Sequence, residues 1–112
     1  MNPELPVQGQ LDAYNKRDLH QFLSFYSKEV EVFRFAETTP YIIGRDQLEK
    51  VYAEVFANSP QLHAELVNRI VIGQKVLDQE RVTGRVGHDL LEVVAIYDVV
   101  DGLIAKIWFL KA

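Results

Sequence analysis

The strongest hairpin signal of this chain lies in residues 95–111, AIYDVVDGLIAKIWFLK. Two apolar runs flank Asp101 and Gly102, and an Asp-Gly pair between such runs is typical of a two-residue hairpin turn. Upstream, QLHAELVNRIVIG turns at Gly73 and Gln74 into KVLDQERVTG, and the weaker turn RVG leads into HDLLEVVAIYDVV. The pattern predicts four consecutive antiparallel strands.

The chain before this meander has helical signals. Asn2 and Pro3 suit the start of a helix, because Asn caps helices and Pro is tolerated at the first helical position, and apolar residues then recur at helical spacing as far as Tyr14. Asp18 followed by Gln21 resembles a capping box and predicts a short second helix.

A strand over residues 29–35 and a short strand over 41–43 are expected next. Between Leu48 and Phe56 the apolar residues follow the i, i+3, i+4 spacing of an amphipathic helix, which the sequence NSP at 58–60 ends. This order of elements predicts one α+β domain over residues 1–112, with three helices on one face of an antiparallel sheet.

The face of the sheet away from the helices is expected to be apolar. The side chains predicted there are Val67, Val71, Ile104, Trp108 and Leu110. A monomer rarely exposes so much contiguous apolar surface, so we expect a homodimer that pairs these outer faces.

Composition narrows the function classes. The net charge of −4 argues against binding to nucleic acid, which requires a basic face. The chain has no cysteine, no signal-like N-terminus and no apolar run long enough to cross a bilayer, so a cytoplasmic location without membrane contact is expected. Its three histidines, His20, His63 and His88, have no ligand spacing, and no metal or cofactor is predicted.

The first strand carries a charge in an unusual position. VEVFRF, residues 30–35, places Arg34 on the same face as Val30 and Val32. The guanidinium either points into a cavity and holds an anionic or carbonyl-bearing ligand, or forms an ion pair with a nearby acid. The candidate ion-pair partners of Arg34 are Glu37, Glu80 and Glu92.

Several phrases of the sequence carry a family resemblance. YNKRD at 14–18, IIGRD at 42–46 and DGLIAKIWF at 101–109, in this order of elements, make the chain similar to the nuclear transport factor 2-like superfamily and to its small bacterial SnoaL-like proteins. The resemblance implies a curved antiparallel sheet wrapped by three helices into a cone with a largely apolar pocket. It does not imply a reaction, because the superfamily includes isomerases, epoxide hydrolases, polyketide cyclases, dehydratases and non-catalytic modules.

The ketosteroid isomerases of this superfamily use a carboxylate base with an oxyanion hole made by a tyrosine and a protonated acid. Their base position matches Arg34, their tyrosine position matches Gln10 with Tyr14 one turn later, and their acid position falls near Ile96 or Tyr97. The resemblance therefore implies the pocket without the isomerase acids. An arginine at the base position also argues against the polyketide cyclases, which use an acidic base as well.

The limonene-type epoxide hydrolases hold a water between two aspartates and an arginine. Their arginine matches Arg81, whereas their acid positions fall on Thr83 and at about Phe109. If the match holds, Arg81 points into the cone together with Gln79 and Thr83. In the opposite register Arg81 is an exposed side chain beside outward carboxylates.

The sequence thus predicts a protein that binds a small, partly apolar organic molecule, anionic or carbonyl-bearing, oriented by Arg34 and Arg81. An isomerase, hydratase or cyclase type of reaction would use arginine to stabilise an oxyanion and Asp98 to move protons. The alternative is a non-catalytic ligand-binding or dimerisation module. The ligand-binding candidates are Gln10, Tyr14, Tyr52, Asn68, Gln79, Thr83, Tyr97 and Phe109.

Overall fold

The computed structural model describes residues 2–112 and has three helices and six strands. The helices are α1 (Glu4–Lys16), α2 (Leu19–Leu23) and α3 (Arg45–Asn58). The strands are β1 (Tyr26–Arg34), β2 (Ile42–Ile43), β3 (His63–Ile72), β4 (Lys75–Thr83), β5 (Leu90–Val100) and β6 (Leu103–Lys111).

The start of α2 follows the predicted signal, whereas α1 begins one residue later than predicted, with Pro3 rather than Asn2 at its N-cap. The Asn2 side chain accepts a hydrogen bond from the backbone N–H of Glu4 at 2.9 Å, and the Asp18 side chain accepts one from Gln21 at 3.1 Å. Between the two helices Arg17 has a left-handed backbone, with φ of 55°. This residue ends α1 and turns the chain into α2.

The strands form one mixed sheet in the order β2-β1-β6-β5-β4-β3. The hairpins predicted at Gly73 and at Asp101 are confirmed, and β3 to β6 form an antiparallel meander. The expectation of a purely antiparallel sheet was wrong in one place, because β1 pairs with β6 in parallel, with Phe33 opposite Trp108. This pairing brings the end of β1 beside the end of β6.

The helices pack on one face of the sheet, which we call the inner face. Its side chains join the helices in a core that includes Val7, Leu11 and Leu48. Two residues predicted on the opposite face lie on the inner face instead. Ile104 is fully buried in this core, because a bulge between Asp98 and Val99 shifts the register, and Val71 pairs with the buried inner-face residue Val76.

The opposite face, the outer face, carries a row of large apolar residues that crosses five strands. Successive ladder partners in this apolar row are Ile70, Leu77, Ile96, Trp108 and Phe33. The rings of Phe33 and Trp108 stack with centroids 5.4 Å apart. A charged row borders it on one side, with Lys75 3.4 Å from Asp98 and Lys106 4.0 Å from Glu31.

Within residues 2–112, no helix is long and apolar enough to cross a membrane.

Candidate functional site

A cavity of about 500 Å³ lies between the helices and the inner face of the sheet. Its volume falls in the range of small-molecule sites. Six of the residues predicted for a site line it: Gln10, Tyr14, Arg34, Tyr52, Tyr97 and Phe109.

Aromatic rings build the helical wall of this cavity. Tyr14 of α1 packs edge-on against Tyr52 and Phe56 of α3, with centroid distances of 6.3 and 5.6 Å. The ring centroid of Phe22 in α2 lies 4.8 Å from that of Tyr52 and 4.9 Å from that of Tyr26 in β1. Edge-on and tilted ring pairs of this kind are favourable, so aromatic packing stabilises this wall of the cavity.

Gln10 fixes two of the tyrosines. Its amide Nε2 donates to the carbonyl oxygen of Val7 at 3.0 Å and to the hydroxyl of Tyr97 at 3.1 Å, while its Oε1 accepts from the hydroxyl of Tyr26 at 2.8 Å. A carbonyl can only accept, so the Val7 contact assigns which end of the Gln10 amide carries the nitrogen. The Tyr97 oxygen therefore accepts from Gln10, and its own hydrogen stays available for another acceptor.

The tyrosines that line the cavity stay protonated at neutral pH. Burial raises the pKa of Tyr14 to about 12, and burial also raises the pKa values of Tyr26, Tyr52 and Tyr97. The hydroxyls of Tyr14 and Tyr52 make no hydrogen bond to any of residues 2–112. The cavity therefore presents neutral O–H donors.

Glu80, which the sequence suggested only as an ion-pair partner of Arg34, lies in this cavity. Glu80 of β4 is buried, with 7% of its surface exposed, and it lines the cavity. Its Oε2 has no hydrogen-bond partner among residues 2–112. Burial and, to a smaller extent, the negative charge of Asp78 raise the pKa of Glu80 to about 7, against an opposing effect of the Arg69 charge. A carboxyl group with this pKa can both give and accept a proton near neutral pH.

The neighbouring acid, Asp78, is saturated by a cation. Its side chain is fully buried, and its two oxygens accept from Nε and Nη2 of Arg69 at 2.7 and 2.9 Å. Arg69 also donates to Gln8 at 2.9 Å and lies 3.7 Å from a Glu4 oxygen, which ties β3 and β4 to α1. Asp78 is therefore a structural residue, whereas Glu80 has an oxygen without a partner within residues 2–112.

Arg34 lies at the mouth of the cavity and has an acid beside it, so each of the two arrangements predicted for it is present in part. Its guanidinium stacks over the Tyr41 ring, 4.4 Å from the centroid, and lies 3.8 Å from a Glu37 oxygen. Both side chains of that ion pair are more than half exposed, 64% for Arg34 and 55% for Glu37, so the pair is weak. Arg34 is thus partly paired and remains open to solvent.

A second arginine lines the mouth, and it is Arg85 rather than Arg81. Arg85 lies in the loop between β4 and β5, is half-buried, and its side chain forms no hydrogen bond or ion pair within residues 2–112. Its positive charge lowers the pKa values of Tyr14, Tyr41 and Tyr52 against the larger effect of burial, which places it close to all three.

The predictions for β4 were wrong in register. Val76, Asp78, Glu80 and Val82 face inward, so Gln79, Arg81 and Thr83 face outward and do not line the cavity. Arg81 lies 3.6 Å from Glu92 on the outer face, with both side chains about half exposed. This is the second of the two arrangements predicted for Arg81, an exposed side chain beside an outward carboxylate.

Two further candidates also lie outside the cavity. A bulge between Leu66 and Asn68 turns Asn68 outward, where it lies opposite Gln79 in the β3–β4 ladder. Asp98 faces outward as well, and Lys75 is its partner. The part of the chain that the structure describes contains no group of three His, Cys, Asp or Glu residues that could hold a metal ion.

The comparisons with known proteins agree on the fold. A family model described as a SnoaL-like domain matches residues 7–107. The structure of a cystatin-fold protein from Novosphingobium aromaticivorans has a TM-score of 0.89 at 22% identity, covering 98% of each chain.

Two more distant structures carry functional names. A candidate ketosteroid isomerase from Kribbella flavida has a TM-score of 0.82 at 18% identity, covering 98% of this chain and 77% of that one. A candidate polyketide cyclase from Sinorhizobium meliloti has a TM-score of 0.79 at 19% identity, covering 94% and 93%. No curated protein matches the sequence. The predicted fold is confirmed, and these identities show the fold alone.

Proposed function

The chain belongs to the SnoaL-like domain family, and on that premise we propose that it binds a small, partly apolar, carbonyl-bearing molecule in the cavity and moves a proton on it. Glu80 is the general base in this proposal, and Tyr97 and Tyr14 are the hydrogen-bond donors to the carbonyl oxygen. The neighbouring folds named for ketosteroid isomerase and polyketide cyclase chemistry support a reaction of this class.

The observation that carries the proposal is the state of Glu80. It is a buried carboxyl group in a cavity, its Oε2 has no hydrogen-bond partner within residues 2–112, and its pKa is raised to about 7 by burial. Buried carboxyl groups are normally paired, as Asp78 is with Arg69. An unpaired acid facing a cavity is the arrangement expected where a substrate supplies the missing partner.

The proposed step is an enolisation. Glu80, ionised, takes a proton from the carbon next to the carbonyl, and the electrons of the broken C–H bond form a C=C bond while the carbonyl π electrons move to oxygen. The O–H groups of Tyr97 and Tyr14 stabilise that oxygen anion. Return of the proton from Glu80 to another carbon gives an isomer, and attack of the enolate on a second carbonyl gives a ring.

Arg34 has an orienting role in this proposal rather than the catalytic role first considered. It stands at the open end of the cavity, and its charge attracts a polar end of the ligand while the apolar part enters among the rings. A non-catalytic binding module remains the alternative, and it requires Glu80 to be dispensable for any turnover.

Deuterium exchange into 2-tetralone, a compact bicyclic ketone, tests the proposal without knowledge of the natural substrate. We expect the protein to accelerate loss of the α-proton NMR signal in D₂O, and Glu80→Gln to lower that acceleration by about 100-fold or more. Glu92→Gln, which removes an acid on the outer face, is the matched control and is expected to behave as wild type. Equal exchange by Glu80→Gln and wild type would instead favour the binding module.

We also propose a homodimer formed by the outer faces of two sheets. The apolar row across five strands supports it, since its central residues Leu77, Ile96 and Trp108 are only half-buried in the single chain. The charged row beside it would form the polar rim. As part of the same proposal, the absence of cysteine supports a reducing compartment such as the cytoplasm.

A further inference from the structure

The mouth of the cavity gathers three cationic side chains from three separate parts of the chain. Arg34 comes from the end of β1, Arg85 from the loop between β4 and β5, and Lys111 from the end of β6, and all three line the cavity. Arg34 and Lys111 come together because β1 and β6 are parallel neighbours, with Arg34 opposite Phe109.

The protein balances only one of the three positive charges at this mouth with an ion pair. Glu37 is the acid at the mouth, and it pairs with Arg34. Among residues 2–112, neither Arg85 nor Lys111 has a hydrogen-bonding or ion-pairing partner for its side chain. Burial lowers the pKa of Lys111, and the charges of Arg85 and Arg34 lower it further, which indicates that the three cations are close enough to repel one another.

The backbone of Arg85 is held in place. Gly84 has φ of 75°, and a Cβ at this position would collide with the backbone of Gln61. Two residues later the Val86 N–H donates to the hydroxyl of the buried Ser59 at 3.1 Å. Contacts on both sides therefore fix the loop at Arg85, while its charged end is left without a partner.

The protein keeps three cations together at a cost in repulsion, and an anion would remove that cost. Glu80 lies three residues before the end of β4, about 10 Å along the strand from Thr83, and Arg85 follows in the loop. The cavity therefore has an acid with O–H donors in its interior and cations at its entrance.

We propose that the mouth is an anion site and that the substrate is an organic anion. Its carboxylate or similar group is held by Arg85, Lys111 and Arg34, while its apolar skeleton and carbonyl extend to the tyrosines and Glu80. Arg85 and Lys111 are specificity-determining residues in this assignment, which rests on the proposed function of the cavity.

Two fluorescent probes of one skeleton test the anion site. The probe 8-anilinonaphthalene-1-sulfonate carries an anionic group, and N-phenyl-1-naphthylamine has the same rings without it. We expect the wild type to bind the sulfonate at least tenfold more tightly than the neutral probe, because charge-assisted hydrogen bonds to a fixed arginine are worth about this much.

Arg85→Gln is expected to reduce that preference by about tenfold, and Lys111→Gln is expected to reduce it severalfold. The affinity for the neutral probe should not change in either variant. Arg81→Gln is the matched control, because it removes an arginine from the outer face. If Arg81→Gln lowers sulfonate binding and Arg85→Gln does not, the probe occupies the outer face and the anion site is wrong.

The outcomes also separate this inference from the proposed function. Equal affinity of the wild type for both probes would overturn the anion site and leave the ketone chemistry of Glu80 standing. Binding of neither probe would remove the cavity as a ligand site and overturn both.

Discussion

Asp78 and Glu80 point from the same face of β4, yet Asp78 is bound by two nitrogen atoms of Arg69 and Glu80 has an oxygen without a partner within residues 2–112. One acid therefore holds the sheet to α1, and the other faces the cavity.

Asp78→Leu is expected to destabilise the fold by about 3 kcal/mol, since it leaves the Arg69 guanidinium largely buried without its main partner. Replacing both residues, as Arg69→Met with Asp78→Leu, is expected to cost clearly less than the sum of the two single changes. Urea unfolding of the four proteins measures the coupling. Additive costs would mean that the pair does not act as a unit.

Glu80→Gln is expected to change how stability depends on pH. In the unfolded chain the Glu80 pKa is near its ordinary value of 4.5, and in the folded protein it is about 7. Between these values only the folded state holds the proton, so this group makes the wild type less stable as pH rises from 4.5 to 7.

The stability of Glu80→Gln relative to wild type should therefore increase by on the order of 2 to 3 kcal/mol between pH 5 and pH 8. Denaturant titrations across that range measure it, with the outer-face variant Glu92→Gln as a control that should track wild type. A difference that stays constant with pH would show that Glu80 titrates as an ordinary carboxyl group.

Gln10→Leu is expected to cost about 2 kcal/mol of unfolding free energy. The change removes three hydrogen bonds and leaves the hydroxyls of Tyr26 and Tyr97 and the Val7 carbonyl without that partner. Gln61→Leu, at an exposed position, is the matched control and should change stability by less than about 0.5 kcal/mol. A cost as small for Gln10→Leu would mean that water replaces its amide.

Leu77→Glu is expected to convert a dimer to a monomer, because it places a charge at the centre of the apolar row on the outer face. Size-exclusion chromatography with light scattering measures the mass. Leu5→Glu, which replaces an exposed leucine of α1, should leave the dimer intact. A wild-type protein that is monomeric at tens of micromolar concentration would contradict the proposed dimer.

Much of the topology could be predicted from the sequence, because the residues that form a turn are neighbours in the chain. Gly73 and Asp101 marked two hairpins, and Asp18 marked the start of α2. The parallel pairing of β1 with β6 has no such signal, since it joins segments more than seventy positions apart, for which only a resemblance or a structure gives the partner.

The site was harder to predict for two physical reasons. In VLDQERV the inner positions of β4 include two acids, Asp78 and Glu80, so the sequence pattern did not settle which face is buried, and the match of Arg81 to the epoxide hydrolases indicated the wrong one. The bulge before Asn68 reversed its orientation, and bulges leave little trace in a single sequence. The strand face of Arg34 could be predicted because Val30 and Val32 on the same face are core residues, whereas its role stays a prediction.

The pH dependence of α-proton exchange in 2-tetralone, measured for wild type and Glu80→Gln, tests the central claim most directly. We predict that the wild-type rate rises with pH and levels off above about 7, as Glu80 becomes the carboxylate, and that Glu80→Gln shows only the buffer rate at every pH. A variant that retains the wild-type rate and its inflection would contradict the assignment of Glu80 as the base.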